Sequence, residues 1–497
     1  GKEVRNALEE MAARAHVTAL VIDLRDNPGG LLSAALDIGD IFLSSGVIAE
    51  TIGIEQEVIF SAKAVKMNTE PDYPVVVLVN RGSASASEIL AETLKRNGRA
   101  LVFGQTSFGK GSVQETYEMD DDSWMKLTIA QYIVADRSSI QALGVQPDLP
   151  LIPVGIHKKD VRIFPSVSYF SEAMLDDHLD VPGDSSLIKS VSEEFLTLHY
   201  LDAAPFIKKD IFEEENKEAE KKNKLDPLDP WIDIAHNFLS NRNLKSDRVS
   251  MLESLPLFQR YRHKIEFSNI SRAFSALKID WRTPASASEP QASNVEFSLS
   301  HNQKSETLKA GGAVEFTITA HNIDSKPVYQ LCARSYSPLS SLNDLQFVFG
   351  YLAPGQKKSW TVKAEIEKFP FMIDADVVFK FETFSGRIFA PMKKNFAITA
   401  SKQAVPSLSY FIDDSSVGNG DGVVQLGESV SCVINLRNSG QGELEKGRLL
   451  FFGADPRLDI YIDKEEVSVE TLKPGASRQT NFVFQIGEIE EAYIPDC

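Results

Sequence analysis

Pro74-Val75-Val76-Val77-Leu78-Val79, followed at once by Asn80-Arg81-Gly82-Ser83-Ala84-Ser85-Ala86-Ser87-Glu88-Ile89, is the stretch on which the reading of the fold turns. A short run of aliphatic residues with no polar interruption reads as a strand buried on both faces. The small residues after it open a helix that the pattern carries to about Asn97. The same arrangement occurs upstream, where Val17–Leu24 ends in Asn27-Pro28-Gly29-Gly30 and leads into a helical stretch over Ala34–Leu43. Two apolar runs, each followed by a helix, predict a parallel α/β layer with both sheet faces covered. Around them, Val4, Leu8, Met11 and Ala15 recur at helical spacing, Leu101–Phe103 reads as a further strand, and Lys126–Ala135 alternates like one. Gly144-Val145-Gln146-Pro147-Asp148 closes this unit, which we place at residues 1–155.

Further along, the chain of 497 residues is long enough for about three domains. Residues 156–282 read as a mainly helical middle region, with helical patterns at Leu187–Tyr200, Trp231–Asn241 and Met251–Ile265 and a stretch dense in both charge signs from Glu213 to Lys224. Thr283–Ser293 is rich in Pro, Ala and Ser and reads as a linker. Residues 294–399 and 405–497 change character. Short alternating runs such as Val314–Ala320, Phe347–Tyr351, Trp360–Ile366 and Val377–Phe381, separated by turn residues, predict antiparallel, immunoglobulin-like β-sandwiches. An internal repeat makes them two copies: Leu308-Lys309-Ala310-Gly311 with Asn322 parallels Val424-Gln425-Leu426-Gly427 with Asn438. Likewise Leu352-Ala353-Pro354-Gly355 parallels Leu472-Lys473-Pro474-Gly475. The expected fold is therefore multidomain, α/β followed by all-β.

A net charge of -18 repels phosphate backbones, which argues against nucleic acid as a partner. No run approaches the ~18 apolar residues of a transmembrane helix. Cys332, Cys432 and Cys497 are too few and too scattered for a disulfide framework or a zinc knuckle. The chain opens at Gly1, inside an apparent helix, so we read it as a fragment or processed chain.

Three segments could carry chemistry. Asp23-Leu24-Arg25-Asp26-Asn27-Pro28-Gly29-Gly30 follows a strand, and its paired glycines can turn backbone N–H groups toward a ligand, or simply turn the chain. The serine-rich stretch around Ser85 stands at a helix N-terminus, where a hydroxyl could act as a nucleophile beside an N–H that stabilises an oxyanion, or where Ser85 or Ser87 could simply cap the helix. In Thr106-Ser107-Phe108-Gly109-Lys110-Gly111-Ser112-Val113-Gln114 a lysine sits between two glycines. Buried there, it could act as a neutral general base. Gly104–Lys110 fits G-x-x-x-x-G-K, but Gly111 occupies the place where a P-loop needs Ser or Thr to hold magnesium, so we reject a P-loop. His16 is the only histidine near these motifs, it precedes its strand, and no Gly-x-Ser-x-Gly elbow is present. Ser–Lys chemistry is the economical alternative.

Taken together, Asp-Leu-Arg-Asp-Asn-Pro-Gly-Gly at 23–30, Val-Asn-Arg-Gly-Ser-Ala-Ser-Ala-Ser-Glu-Ile at 79–89, Phe-Gly-Lys-Gly-Ser-Val-Gln at 108–114 and Gly-Val-Gln-Pro-Asp at 144–148 resemble the C-terminal processing (tail-specific) serine proteases. The resemblance covers residues 1–155. It implies a core related to the crotonase and Clp protease folds and a serine endopeptidase acting on protein substrates, selected by their C-terminal tails. It implies Ser85 as nucleophile, Lys110 as general base and Gln114 as the residue that orients the lysine. The oxyanion hole would be the N–H of Ala86 with that of Gly30 or Gly29, which the sequence leaves open. Ser83 and Ser87 become turn and cap residues. Members of the family normally carry a PDZ domain upstream, and no PDZ-like segment is found in residues 1–497, nor the upstream part of the catalytic domain. The family setting and the appended sandwiches point to the bacterial cell envelope, periplasmic or outer-membrane associated. An oligomer is left open, as is a catalytically silent scaffold.

No cofactor is required by this reading. In the second sandwich, Asp413, Asp414, Asn419, Asp421 and Glu428 gather oxygen atoms on a Gly-rich loop that calcium would accept, although the spacing is not that of an EF-hand. The alternative is a polar hairpin loop whose Asn and Asp residues favour tight turns.

Overall fold

The computed structural model describes residues 1–53, 55, 57–67, 69–119, 123–156, 161–165, 171–172, 197–202, 229–286, 291–303, 307–451 and 458–489. The chain divides into two compact units, Gly1–Glu289 and Pro290–Cys497.

In the first unit the elements run α1 (Lys2–Arg14), β1 (Leu20–Asp23), α2 (Leu32–Phe42), β2 (Val47–Ile52), β3 (Val58–Lys63), β4 (Val75–Val79), α3 (Ala86–Arg96) and β5 (Leu101–Gly104). They continue with β6 (Ser112–Glu118), β7 (Trp124–Val134), β8 (Ser138–Ser139), β9 (Leu149–Ile156), β10 (Val161–Arg162), β11 (Leu198–Asp202), α4 (Pro230–Leu239) and α5 (Arg248–Ala276). The main sheet has the order β1-β4-β5-β9-β10, with β11 also paired to β9. Its pairs are parallel except β9–β10. Every residue of β4 is fully buried, because alternate side chains serve two cores. Val75, Val77 and Val79 face a cluster with Ile89, Leu90 and Leu94 of α3, while Val76 and Leu78 face Trp231 and Phe238 of α4 and Met251 of α5. Burying each aliphatic side chain contributes about 1.5–3 kcal/mol. A second, antiparallel sheet has the order β3-β2-β7-β6.

The middle segment is thus part of the first unit's packing. Asp229 caps α4 by accepting from Trp231 N (2.9 Å) and Ile232 N (3.2 Å), and Pro230 stands at the helix's first position, where a missing N–H costs nothing. Asp148, which ends the Gly-Val-Gln-Pro-Asp motif, accepts from Val102 N (2.8 Å) and pairs with Arg248 at the start of α5. The helical pattern read over Leu187–Tyr200 lies mostly outside the described residues, and its end differs: Leu198–Tyr200 belong to β11. Leu198 and Tyr200 are buried and His199 between them is not fully so, which is strand periodicity. The charged stretch 213–224 lies outside the described residues.

In the second unit, Val295–His301, Ala313–Asn322 and Lys357–Glu365 form one sheet. Leu308–Lys309, Met392–Thr399, Ile373–Thr383, Val328–Tyr336 and Gln346–Leu352 form another. Their inward residues share one core, with Phe316, Ile318, Phe347, Phe379 and Phe381 fully or almost fully buried. The sequence repeat has a hydrogen-bond counterpart. Asn322 Nδ2 donates to Leu352 O (3.2 Å) and Lys326 O (2.8 Å), and its carbonyl accepts from Gly355 N (2.8 Å). Asn438 Nδ2 donates to Leu472 O (3.0 Å) and Gly442 O (2.7 Å), and its carbonyl accepts from Gly475 N (2.8 Å). A buried amide tying two turns together explains why the same residue stands at the same place in both copies.

Candidate active site

The turn after β4 places Ser85 immediately before α3. Its backbone has φ +56° and ψ −119°, a combination that a residue with a Cβ holds only where the surroundings impose it. The surroundings are visible. Ser83 Oγ donates to Leu24 O (2.7 Å) and accepts from Asn80 N (3.0 Å). Asn80 Oδ1 accepts from Asp26 N (2.9 Å) and Gly82 N (3.0 Å), and Ala84 N donates to Asn27 O (3.0 Å). The turn after β4 is therefore stitched to the turn after β1. Although no Gly-x-Ser-x-Gly is present, the strand–turn–helix with a strained serine is the geometry that such elbows use.

Gly29 lies against this serine. It has φ +97°, and a Cβ built on it would stand 2.6 Å from Ala84 O, 2.9 Å from Ala86 N and 3.0 Å from Ser85 Cβ, so only glycine allows the two backbones to meet. Gly29 N–H is taken by Asn27 Oδ1 (3.0 Å). The N–H groups of Gly30 and Ala86 have no hydrogen-bond partner among the described residues. The Ala86 N–H is one of the unpaired donors at the N-terminus of α3.

Lys110 follows the end of β5, in a loop whose carbonyl and amide groups are anchored on both sides. Phe108 N donates to Ser83 O (3.0 Å), and Gly111 N to Gln141 Oε1 (2.9 Å). The main link to Ser85 is Glu88, whose side chain is fully buried. One carboxylate oxygen accepts from Ser85 N (2.8 Å) and Lys110 N (2.9 Å), the other from Gly109 N (2.7 Å) and Ser107 Oγ. Burial pushes the Glu88 carboxyl up, and these four donors act against that shift. By residue type and place alone, Glu88 is an acid in the first turn of α3, which suits the helix dipole. The available signal was its fixed place three residues after Ser85, a spacing that lets a carboxylate reach back to the cap.

Not every expected contact is present. No hydrogen bond joins Ser85 Oγ to Lys110 Nζ. Gln114 lies on β6 with an exposed side chain, its amide 3.5 Å from Thr128 Oγ1 of β7, and it makes no hydrogen bond to Lys110. His16 is exposed before β1, at the opposite end of the strand from the turn that meets Ser85.

Arg25, in the same turn as Gly29, was also missed. It donates through Nε to Asp23 Oδ1 (2.9 Å) and through NH1 to Asp229 Oδ2 (2.9 Å), and its guanidinium carbon lies 5.2 Å from the centre of the Trp231 ring. Burial by itself would raise the Asp23 carboxyl, but Arg25 holds it below its ordinary value.

In the second unit the acidic loop uses its oxygens internally. Asp414 accepts from Gly422 N (2.6 Å), Asp421 from Val423 N (2.9 Å), and Glu428 from Asn419 N (2.7 Å) and Gln425 N (3.1 Å). Asp413 accepts from Ser415 N (3.0 Å). Among the described residues no three His, Cys, Asp or Glu side chains are grouped to hold a metal ion, and no helix is long and apolar enough to cross a membrane.

Comparison with known proteins bears on residues 1–151. The pattern that defines peptidase family S41 matches residues 1–151. The chain is 42% identical over 137 residues to a carboxyl-terminal-processing protease of the cyanobacterium Picosynechococcus, covering 27% of this chain and 33% of that protein. It is 43% identical over 129 residues to the carboxy-terminal-processing protease of Bartonella bacilliformis, covering 26% of this chain and 30% of that protein. Among solved structures it is 34% identical to the photosystem II D1 C-terminal processing protease, over 30% of this chain and 38% of that one, with a TM-score of 0.28. The chain spans about a third of the length of the curated relatives it matches. The strained serine, the glycine turn against it and the lysine loop all fall inside residues 1–151, the part of the chain that matches peptidase family S41 and is similar to carboxyl-terminal-processing proteases.

Proposed function

We propose that this protein is a serine endopeptidase that cleaves protein substrates by a Ser–Lys mechanism and selects them by their C-terminal tails. The observation that carries the reading is the strained Ser85 at the head of α3, beside the unpaired N–H groups of Ala86 and Gly30. In this mechanism the Lys110 amine takes the Ser85 hydroxyl proton as Oγ attacks the scissile carbonyl carbon. The carbonyl oxygen becomes an oxyanion between the Ala86 and Gly30 N–H groups, the free Gly30 donor favouring it over Gly29. The C–N bond then breaks, Lys110 returns the proton to the departing amine, and water hydrolyses the acyl-serine with Lys110 again as base. The Ser85–Lys110 contact would form by rotation of the lysine's four-carbon stem, since catalytic hydrogen bonds are often loose in a free enzyme.

We further infer a core of the crotonase and Clp protease type and immunoglobulin-like sandwiches in the second unit, working in the bacterial cell envelope. Parallel strands with helices on both faces, and two sheets around one core, support the first two readings. The absent Gln114–Lys110 bond favours the alternative, a catalytically silent scaffold. The test is cleavage of casein by the full-length protein, wild type against Ser85→Ala and Lys110→Ala. Loss of activity in both variants supports the peptidase. Full activity in either refutes the site, and an inert wild type moves the scaffold forward.

A further inference from the structure

Arg25 is gripped from two directions. Asp23, two residues before it, takes Nε and NH2 at 2.9 and 2.6 Å. Asp229, more than two hundred residues later in the chain, takes NH1 at 3.1 and 2.9 Å. The same Asp229 carboxylate caps α4, so its position is set by two helix N–H groups as well. Trp231, the second residue of α4, is 7% exposed, lies under the guanidinium and donates through Nε1 to Tyr200 of β11. Its ring edge also fills the space beside Gly104, where a Cβ would come within 2.7 Å of the ring and 2.1 Å of Val79 O. Gly104 ends β5, just before the lysine loop, and Gln105 N donates to Val79 O (2.9 Å) at the end of β4. Three strand ends that lead into the candidate site therefore converge on Arg25 and Trp231. Asp229, Trp231 and Tyr200 all lie beyond residues 1–151, the part that matches the peptidase family.

We propose that Asp229 is a positioning residue for the serine site: through the Arg25 guanidinium it holds the 24–30 turn, and so keeps Gly29 and Gly30 in register with Ser85 and the Ala86 N–H. The inference rests on the Ser85 reading above. Magnitudes separate this role from a stabilising one. Asp23 and Asp229 are each more than a third exposed, and ion pairs at that exposure add little to stability. A displaced oxyanion donor, by contrast, costs ~100- to 1000-fold in turnover, and it acts only in the transition state. Because Asp23 still grips Arg25 when Asp229 loses its charge, a smaller loss, about 10- to 100-fold, is expected.

The experiment compares kcat and KM for a fluorogenic peptide, together with the thermal unfolding midpoint, in the full-length protein. Asp229→Asn keeps an oxygen for the helix cap and replaces the other, which accepts from Arg25, with an amide NH2, so it removes the charge and one acceptor for the guanidinium together. It should lower kcat by about 10-fold or more, with KM and the midpoint nearly unchanged, and Asp229→Glu should recover part of the loss. Asp233→Asn is the control, because it removes the pairing of α4 with Arg262 of α5 (2.6 Å) without touching the turn, and it should leave kcat alone. A wild-type kcat in Asp229→Asn, with Ser85→Ala inactive, overturns the inference and leaves the peptidase standing. Parallel losses in Asp229→Asn and Asp233→Asn that track the unfolding midpoint make the role structural and also overturn it. Ser85→Ala with full activity, or an inert wild type, brings down the site reading and this inference with it.

Discussion

Replacing Glu88 by Gln changes one carboxylate oxygen to an amide while keeping shape and volume. In the native structure both oxygens act only as acceptors, one for the N–H groups of Ser85 and Lys110 and the other for Gly109 N–H and Ser107 Oγ. An amide NH2 must occupy one of the two positions. Facing Ser85 and Lys110 it would oppose two backbone N–H donors. Facing Gly109 and Ser107 it opposes one, and the Ser107 hydroxyl can turn to accept. The second orientation is the cheaper one and leaves the Gly109 N–H buried without a partner, at about 1–3 kcal/mol. The bonds that remain lose their charge, and charge-assisted bonds are roughly twice as strong as neutral ones. Against this, Gln avoids the cost of burying an ionised group, which is the cost that pushes the Glu88 carboxyl up. The net expectation is a loss of about 2–3 kcal/mol in stability, from urea unfolding. The larger effect should be on turnover, because this one side chain holds the backbones of Ser85 and Lys110 to each other. A misplacement of about 1 Å costs on the order of 100-fold. Glu92→Gln, one turn along α3 and paired with Arg96 (2.6 Å), should leave kcat unchanged. A Glu88→Gln enzyme that keeps wild-type kcat, or one that loses no more than Glu92→Gln, would refute the positioning argument.

Gly29→Ala should abolish casein cleavage, because its methyl would collide with Ala84 O and Ala86 N, whereas Gly30→Ala meets open space and should fold with an unchanged unfolding midpoint. His199 is pulled down to about 4 by burial and by His263 nearby, so the native state resists its protonation. Stability from this group is present above its ordinary value near 6.5 and is lost as pH falls toward 4, by at most about 3 kcal/mol; His199→Gln should flatten the pH dependence of urea unfolding across that window. Asp324 is held down to about 2 by Ser293 N–H, so its contribution to the second unit is present above about pH 4 and is lost only as pH falls toward 2, which NMR titration of its carboxyl would follow. Asn438→Ala should cost about 2–4 kcal/mol in unfolding of the second unit, since the buried amide serves Gly442 O, Leu472 O, Gly440 N and Val405 N; an unchanged denaturation profile would contradict that assignment.

Local chemistry made some features legible. Val75–Val79 can bury five aliphatic side chains only as a strand covered on both faces, and that is where it lies. The alternating runs of the second unit form strands because one face of each must be apolar. Ser85 and Lys110 could be singled out because four motifs in order resemble those of the C-terminal processing proteases, since a serine at a helix start taken alone reads equally as a cap. Glu88, Asn80 and Arg25 were harder to read. A carboxylate in a first helical turn usually faces water, and an arginine beside an aspartate usually forms a surface pair, so their types give no sign that they hold two loops together.

The sequence by itself determined which segments are strands and helices in the parallel layer, and which short motifs stand at their ends, because hydrophobic period and turn chemistry act over a few residues. The tertiary structure alone decided what covers the second face of that layer. Trp231, Phe238 and Met251 reach Val76 and Leu78 across some 150 residues of chain, and Asp229 reaches Arg25 across 204. No local pattern specifies such pairings, since they are set by the mutual fit of surfaces that exist only once both elements have formed.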